Sequence, residues 1–292
     1  LPAMRIDERI AGGTEKSFSF EFFPPKTEEG ERNLAEALQE LAKLNPTFVS
    51  VTYGAGGTAA QREKTIEIVS RIKADYGLEA MAHFTCVGQT VEQLRATLDR
   101  MRDAGIENVL ALRGDPPAGV DAKDWVAVDG GLRYSRELID LIRAHYDFTV
   151  GAACFPEVHL AAESAESDLR YTREKVEAGA RFLITQLFFD NQVYYDFVAR
   201  ARDIGIDVPI IPGIMPITNV AQIRRFTEMC GASIPPALMH ELELRTDQPE
   251  AVADFGVAYA TMQCADLLAN GAPGIHFYTL NRSPSTRAIL SA

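Results

Sequence analysis

The sequence predicts a single (β/α)8 barrel, the TIM-barrel form of the α/β class, over residues 1–292, with residues 1–16 as an N-terminal extension. Strand-like and helix-like segments alternate along the whole chain, and no linker rich in proline or serine divides it. A doubly wound sheet is the alternative, but no G-x-G-x-x-G motif follows the first strand. One barrel therefore explains the alternation better than two domains.

The predicted strands are short apolar segments bounded by turn residues. They are 17–23, 47–53, 79–86, 107–113, 148–154, 181–187, 208–213 and 273–278. Amphipathic segments between them predict helices at 27–43, 59–76, 90–104, 133–145, 162–178, 191–205, 219–230, 234–245 and 249–270. Helix 90–104 shows both end signals, because Thr90 is a natural N-cap and Gly105 a natural C-terminal stop.

The first strand carries a carboxylate, Glu21, in an aromatic segment that two prolines end. Phe18, Phe20 and Phe22 alternate with polar residues, and prolines cannot continue a sheet ladder. Glu21 thus lies near the C-terminal end of a strand, and we expect desolvation by its apolar neighbours to favour the protonated form. A strand-end glutamate that holds a proton is a candidate general acid.

Composition restricts the partners. The chain has 47% hydrophobic and 24% charged residues and a net charge of −12, which argues against nucleic acid or an anionic membrane as a partner. An anionic small molecule would need a local basic residue. Four dispersed cysteines, no CxxC spacing and no signal-peptide core predict a reduced, cytoplasmic protein. We expect a homo-oligomer whose subunit number the sequence leaves open.

The C-terminal ends of barrel strands form active sites, and these ends are unusually polar and aromatic here. Listed strand by strand they contain Glu21; Thr52, Tyr53 and Gly54–Gly57; His83; Arg113–Pro117; Phe155–His159; Gln186; Met215–Asn219; and Tyr278–Arg282. Such convergence predicts a site for a large planar ligand. Gln186 is the hardest to explain otherwise, since a carboxamide in an apolar strand needs hydrogen-bond partners.

Several of these residues have simpler structural interpretations. The glycines of 54–57 suit a plain turn, His83 suits a hydrogen-bonded core position, and Asp115 suits a loop cap. Asp168 and Lys175, seven residues apart, suit a solvated helix face. The five histidines lack metal-ligand spacing, and neither a G-x-S-x-G elbow nor a phosphate loop is present, so metal-dependent, serine-triad and phosphoryl-transfer chemistry lose support.

Eight motifs in order resemble the methylenetetrahydrofolate reductases, in particular bacterial members that consist of the catalytic barrel alone. They run from FEFFPPKT at 20–27 and FVSVTYGAGG at 48–57 through LRGDPP at 112–117, PEVH at 156–159 and EKVEAGA at 174–180. ITQLFFD at 184–190, IIPGIMPI at 210–217 and HFYTLNR at 276–282 complete the series. The resemblance covers residues 17–282.

The resemblance implies a flavoprotein that uses FAD and NADH or NADPH to reduce 5,10-methylenetetrahydrofolate to 5-methyltetrahydrofolate by ping-pong hydride transfer. Glu21 would be the general acid, and Asp115 would tune the flavin and stabilise the cationic intermediate. Positions that match FAD contacts are Thr52, Tyr53, Ala55, His83, Arg113, Gly114, Asp115, Tyr134, Ser135, Phe155, His159, Ala162, Asp168 and Lys175. Substrate positions are Gln186, Gln222, Phe226 and Arg282.

Four positions depart from the family pattern, and all lie on the FAD side: Phe155, Leu160, Tyr171 and Glu174. Two alternatives remain, and only the first of them follows from these departures. One is a flavin-independent enzyme that passes hydride directly from the nicotinamide to folate. The other is a non-catalytic pterin-binding barrel that serves a methyl-transfer partner.

Overall fold

The structure is a computed structural model that describes residues 5–12, 15–53, 58–117 and 119–292. Within these residues the strands form one parallel sheet in the order β7-β6-β5-β4-β3-β2-β1-β9-β8. Their bounds are β1 Ser17–Phe22, β2 Phe48–Val51, β3 Ala80–Thr85, β4 Asn108–Leu112, β5 Thr149–Cys154, β6 Phe182–Thr185, β7 Ile210–Ile211, β8 Gly213–Ile214 and β9 Gly274–Tyr278.

The seventh barrel strand consists of two short pieces, β7 and β8. β7 pairs with β6, whereas β8 pairs with β9. Pro212 separates them because it has no amide to donate, while its carbonyl accepts the His276 N–H at 2.9 Å. The two pieces together complete the ring between β6 and β9, which confirms the predicted (β/α)8 barrel.

The helices follow the strands in alternation, as predicted. Their bounds are α1 Ile6–Gly12, α2 Glu28–Ala42, α3 Ala59–Tyr76, α4 Val91–Asp103, α5 Ser135–His145, α6 Ala165–Ala178, α7 Asn191–Asp203, α8 Val220–Cys230, α9 Pro236–Glu243, α10 Pro249–Ala269 and α11 Pro284–Ser291. Thr90 makes the predicted N-cap bond, accepting from the Gln93 N–H. The predicted start of α6 at 162 was wrong, because Ser164 caps the helix and Ala165 begins it.

Strand alternation divides the side chains between two layers. One set points between sheet and helices and forms the main core, which includes Phe20 and Phe22. The other set fills the barrel interior, where Phe48, Phe182 and Ile184 pack together. Gly151 leaves room for the Phe182 ring, since a Cβ there would lie 2.4 Å from it. The barrel is thus filled in its middle, and its mouth is left for polar groups.

Helix α1 closes the N-terminal end of the barrel, which the sequence did not predict. Ile6 is fully buried against the interior side chains, and its N–H donates to Asn108 Oδ1 at 3.0 Å. Asn108 in turn donates to Glu79 Oε1 at 2.9 Å. None of the helices in the described ranges is long and apolar enough to cross a membrane.

Candidate active site

Glu21 meets two histidines inside the barrel mouth. Its Oε1 lies 3.2 Å from His83 Nε2 and 3.4 Å from His276 Nε2. His276 is fully buried, and its Nδ1 lies 2.8 Å from Ser19 Oγ. Residues 19 and 21 on β1 point inward together, and the β1–β9 register pairs Ser19 with His276. Strand geometry therefore builds a hydrogen-bonded line from Ser19 through His276 to the carboxylate.

Two residues after β9 hold the backbone around Glu21. The Thr279 hydroxyl donates to the Glu21 carbonyl at 2.7 Å. The Asn281 side chain accepts from the Phe23 N–H at 3.0 Å and donates to the Phe23 carbonyl at 2.8 Å. Asn281 itself has a positive φ of 59°, which asparagine tolerates better than most residues. The carboxylate is thus fixed from both its side chain and its main chain.

The expectation that apolar neighbours keep Glu21 protonated was wrong. Burial does raise the pKa of Glu21, but the charge of His83 and the hydrogen bond from His276 outweigh it and lower the pKa to about 2. Phe20 and Phe22 lie on the other face of β1, in the main core. Because successive residues of a strand point to opposite faces, the phenyl rings point away from the carboxylate. The carboxylate instead faces the two imidazoles.

His83 Nε2 meets Glu21 at the mouth in poor hydrogen-bond geometry. Its ring is buried, and Nε2 has no hydrogen bond of good geometry within the described part of the chain, although Glu21 is near. A buried polar atom without a partner is costly unless a ligand satisfies it. His83 therefore fits the role of a ligand-facing residue better than that of a core histidine whose hydrogen bonds are all made.

A cluster of basic groups follows β4 and β5. The Arg113 guanidinium lies 5.6 Å from the centre of the Trp125 ring, and Lys175 Nζ donates to the Ala153 carbonyl at 2.5 Å. Burial lowers the pKa of Lys175. Across the loop, the Asp168 carboxylate accepts from the His159 N–H at 3.2 Å, and burial raises the pKa of Asp168. Helix α6 thus turns both residues inward, contrary to the solvated-face interpretation.

His159 belongs to the same cluster. Its Nδ1 accepts the Ala161 N–H at 3.0 Å, which assigns the proton of the neutral ring to Nε2. Burial, with the nearby Arg113 and Lys175 charges, lowers the pKa of His159 to about 4. The Phe155 ring meets it edge-on at 4.5 Å. At neutral pH, His159 therefore offers a neutral Nε2–H donor beside two cations.

The β4 exit loop contains a required glycine. Gly114 has a φ of 90°, and a Cβ there would lie 2.6 Å from Val87 Cγ1. Asp115 follows it and is exposed. At the end of β2 the Thr52 carbonyl accepts from Thr65, while the Tyr53 ring is buried between sheet and helices against Phe84. Tyr53 can therefore offer a ligand only its backbone, and Ala55 lies outside the described residues.

Gln186 presents a donor. Its backbone N–H binds the Cys154 carbonyl at 2.8 Å, and its side-chain Oε1 accepts the Leu187 N–H at 3.0 Å. With the oxygen bound to this N–H, the side-chain NH2 group keeps its donor hydrogens for a ligand. The Tyr278 hydroxyl donates to the Thr185 carbonyl at 2.5 Å, and this bond secures the strand end next to Gln186.

The other predicted positions lie around the rim. Gln222 and Phe226 are half-buried on α8, and the Arg225 guanidinium covers the Phe226 ring at 5.6 Å. Arg282 is exposed after β9. Tyr134 precedes α5, Ser135 begins it, and Ala162 lies in the turn before α6, where its N–H binds the His159 carbonyl at 2.9 Å. All of these follow the C-terminal end of a strand.

Sequence reasoning missed two contributors, Ser19 and His276, and it placed Thr279 and Asn281 at the mouth without giving them a role. The sequence could have indicated both residues, because every second residue of a strand points inward and paired residues of neighbouring parallel strands point the same way. Applying that parity to β1 and β9 would have brought His276 to Glu21. Among the described residues, no group of three histidine, cysteine or acidic side chains is arranged to hold a metal.

Comparison with known proteins identifies the family. The family model described as methylenetetrahydrofolate reductase matches residues 5–292. The chain is also 39% identical over 271 residues to the 5,10-methylenetetrahydrofolate reductase of Escherichia coli (strain K12), covering 93% of this chain and 88% of that protein. The chain belongs to the methylenetetrahydrofolate reductase family. This confirms the resemblance that the eight motifs indicated.

A longer relative and a solved structure of low sequence identity also match the chain. Methylenetetrahydrofolate reductase (NADH) 1 of Arabidopsis thaliana is 42% identical over 301 residues, which cover 98% of this chain. This chain spans about half the length of that plant reductase, 50%. A solved structure described as an uncharacterized protein from Clostridium thermocellum that binds two copies of 5-methyl-5,6,7,8-tetrahydrofolic acid superposes with a TM-score of 0.65 at 16% identity, over 98% of this chain and 96% of that one. At that identity the likeness shows the shared fold.

Proposed function

We propose that this protein reduces 5,10-methylenetetrahydrofolate to 5-methyltetrahydrofolate, with FAD as cofactor, NADH as donor and Glu21 as general acid. The observation that carries the proposal is the Glu21–His83–His276 group at the barrel mouth. Family membership supports the substrate, and the name of the Arabidopsis thaliana relative supports NADH over NADPH.

The residues at the mouth fit FAD. The basic cluster of Arg113, His159 and Lys175 suits a pyrophosphate in a protein of net charge −12. Gly114 lets the backbone approach a ligand closely. The full set that would hold FAD is Thr52, Tyr53, Ala55, His83, Arg113, Gly114, Asp115, Tyr134, Ser135, Phe155, His159, Ala162, Asp168 and Lys175. Bound FAD would carry hydride from NADH to the folate in two separate half-reactions.

Glu21 would take up a proton before it acts as an acid. With a pKa near 2 the carboxylate is ionised at neutral pH, so the proton that it gives to folate must reach it first. A folate nitrogen placed against Glu21 draws that proton through the carboxylate, because the protonated nitrogen is then paired with an anion. Ser19 orients His276 against the carboxylate by binding its other nitrogen. Protonation opens the imidazolidine ring.

Folate would lie over Glu21 between α8 and the end of β6. Gln186 offers its amide donors to an acceptor on the pterin, Gln222 and Phe226 border the same space, and exposed Arg282 is a counter-ion for a glutamate carboxylate. Asp115 would stabilise the cationic intermediate by its charge.

The first test is spectroscopic. Purified protein should be yellow, and NADH should bleach the flavin absorbance under anaerobic conditions, faster than NADPH in stopped flow. A colourless protein that reduces folate with NADH would support direct hydride transfer instead. A colourless protein that binds folate and never oxidises NADH would support the non-catalytic barrel.

The second test separates the half-reactions. Glu21→Gln should keep the rate of NADH-dependent bleaching within about twofold of the wild-type rate. It should lower the rate of folate-dependent flavin reoxidation by about 10²–10⁴-fold, the contribution typical of general acids. Glu36→Gln, an exposed residue of α2, serves as the matched control and should change neither rate. Equal loss of both half-reactions in Glu21→Gln would make Glu21 structural and overturn its role as acid.

A further inference from the structure

The loop that follows β5 is hydrogen-bonded to the connection between α8 and α9. The Ser233 backbone N–H donates to both carboxylate oxygens of Glu157 at 3.2 Å, and the Ser233 hydroxyl donates to Glu157 Oε1. The two residues are 76 positions apart in the chain, so the contact joins loops that no local structure brings together. We call these hydrogen bonds the Glu157–Ser233 latch.

An apolar contact lies beside the latch. Leu160 packs against the C-terminal end of α8, where Gly231 caps the helix with a φ of 74°. A Cβ at position 231 would lie 2.7 Å from Leu160 Cδ2, so the leucine side chain and the end of the helix are in close contact. Leu160 is one of the positions that depart from the family pattern. The latch and this contact together join the β5 loop of this chain to the end of α8.

The backbone of the β5 loop is strained next to the latch. Val158 has a φ of 73°, a left-handed conformation that a β-branched residue rarely adopts. On one side of it, Glu157 binds Ser233. On the other side, the His159 N–H donates to the Asp168 carboxylate. Strain of this kind persists where the surroundings determine the conformation, and it is common at functional sites. The contacts on both sides of Val158 therefore hold the loop in a fixed shape.

Helices α8 and α9 pack apart from the main core. Their buried apolar side chains, such as Ile223 and Leu238, belong to a second cluster. They share it with Leu187, which follows β6, and Met215, which follows β8. Within the described residues, neither helix contributes an apolar side chain to the main core. The second cluster therefore fixes the two helices on the β6 and β8 side of the barrel, and the latch fixes them on the β5 side.

The latched connection borders the proposed folate space. Glu157, Gln186 and Ala232 line one cavity of about 10 Å³, which has room for no more than one water molecule. The latch thus closes the gap between the α8–α9 connection and Gln186. Gln222 and Phe226 lie on α8, the helix whose C-terminal end the latch and Leu160 fix. A shift of α8 away from the β5 loop would therefore change the space between these two side chains and Gln186.

We propose that Glu157 is a positioning residue for folate, because the Glu157–Ser233 latch holds α8 where it completes the folate space. Leu160 supports the latch through its contact with Gly231. This role rests on the proposed function, since it assumes that folate lies between α8 and the end of β6. Loss of the latch lowers the fraction of molecules that are ready to bind folate, and the apparent affinity for folate falls by the same factor. Saturating folate restores the position of α8, so kcat is preserved.

The test measures KM and kcat for 5,10-methylenetetrahydrofolate, together with the Kd of 5-methyltetrahydrofolate by equilibrium titration. Glu157→Ala should raise KM and Kd about three- to tenfold, as expected for lost hydrogen bonds, and should keep kcat within about twofold. Glu157→Gln keeps an acceptor oxygen for Ser233 and should restore both constants to within about twofold of the wild type. Glu228→Ala removes an exposed carboxylate from α8 and is the matched control, which should change neither constant.

A double-mutant cycle separates the latch from general damage to the loops. Ser233→Ala removes the hydroxyl bond alone and should raise KM less than Glu157→Ala does. In the Glu157→Ala background the same change should have no further effect, because its partner is already gone. Ser233→Ala also tests the latch by itself if Glu157→Ala does not fold, and an unchanged KM there would overturn the latch.

The remaining outcomes distinguish the latch from the proposed function. Additive effects of the two changes, or a fall in kcat with KM unchanged, would overturn the latch while the proposed function stands. The same holds if Glu157→Ala raises KM no more than Glu228→Ala does. Wild-type protein that binds no folate would overturn the proposed function and the latch with it.

Discussion

Replacing Glu21 with glutamine should destabilise the protein by an amount that depends on pH. The side chains have the same shape, but glutamine cannot carry the charge that His83 and His276 favour. The pKa of Glu21 falls from 4.5 to about 2 on folding. A shift of that size corresponds to about 3 kcal/mol of unfolding free energy. The side chain is only 18% exposed, so solvent screening removes little of this.

The sign follows from linkage. A carboxyl group whose pKa is lowered on folding contributes stability above its unfolded pKa of 4.5, and that contribution disappears as the pH falls toward 2. The difference between wild type and Glu21→Gln should therefore be about 3 kcal/mol at pH 6 and about 2 kcal/mol at pH 3.5.

Urea unfolding between pH 6 and pH 3.5, followed by circular dichroism, measures this difference. Glu36→Gln should follow the wild type throughout, because Glu36 is exposed. A difference below about 1 kcal/mol at pH 6, or one that stays constant as the pH falls, would refute the paired, low-pKa carboxylate.

Three further changes test the fold around the site. Gly151→Ala should lower the unfolding free energy by about 1–3 kcal/mol in urea titrations, because its Cβ would lie 2.4 Å from the Phe182 ring. Ile6→Ala should cost about 2–5 kcal/mol, since Ile6 is fully buried at the barrel floor, and should leave flavin affinity unchanged. Asn281→Ala should slow folate-dependent flavin reoxidation more than NADH-dependent bleaching, because it frees the Phe23 backbone next to Glu21.

The sequence was sufficient for the fold because its strand and helix signals are local. Thr90 and Gly105 mark the two ends of α4, as their chemistry predicts. The polar strand ends also meet at one end of the barrel. Helix α1 escaped prediction because its burial comes from distant contacts. Ile6 binds Asn108, about a hundred residues away, and no periodicity in so short a segment reveals that.

The environment of Glu21 shows where local reasoning fails. Neighbours in sequence suggested an apolar pocket, yet adjacent residues of a strand point to opposite faces, so Phe20 and Phe22 do not surround the carboxylate. Its partners come from β3 and β9, 62 and 255 residues later in the chain for His83 and His276 respectively. The desolvation of Glu21 was predicted, but the pKa of its carboxyl group also depends on which charged and hydrogen-bonding groups lie beside it.

The low pKa of Glu21 also constrains how the proposed acid works. A carboxyl group with a high pKa would hold its own proton before folate binds, and its neighbours would matter little. A carboxylate near pKa 2 is ionised at neutral pH, so the proposed acid must take up a proton before it can give one to folate. The contacts with His83 and His276 that stabilise the ionised carboxylate therefore determine the pH at which the proposed acid would carry its own proton.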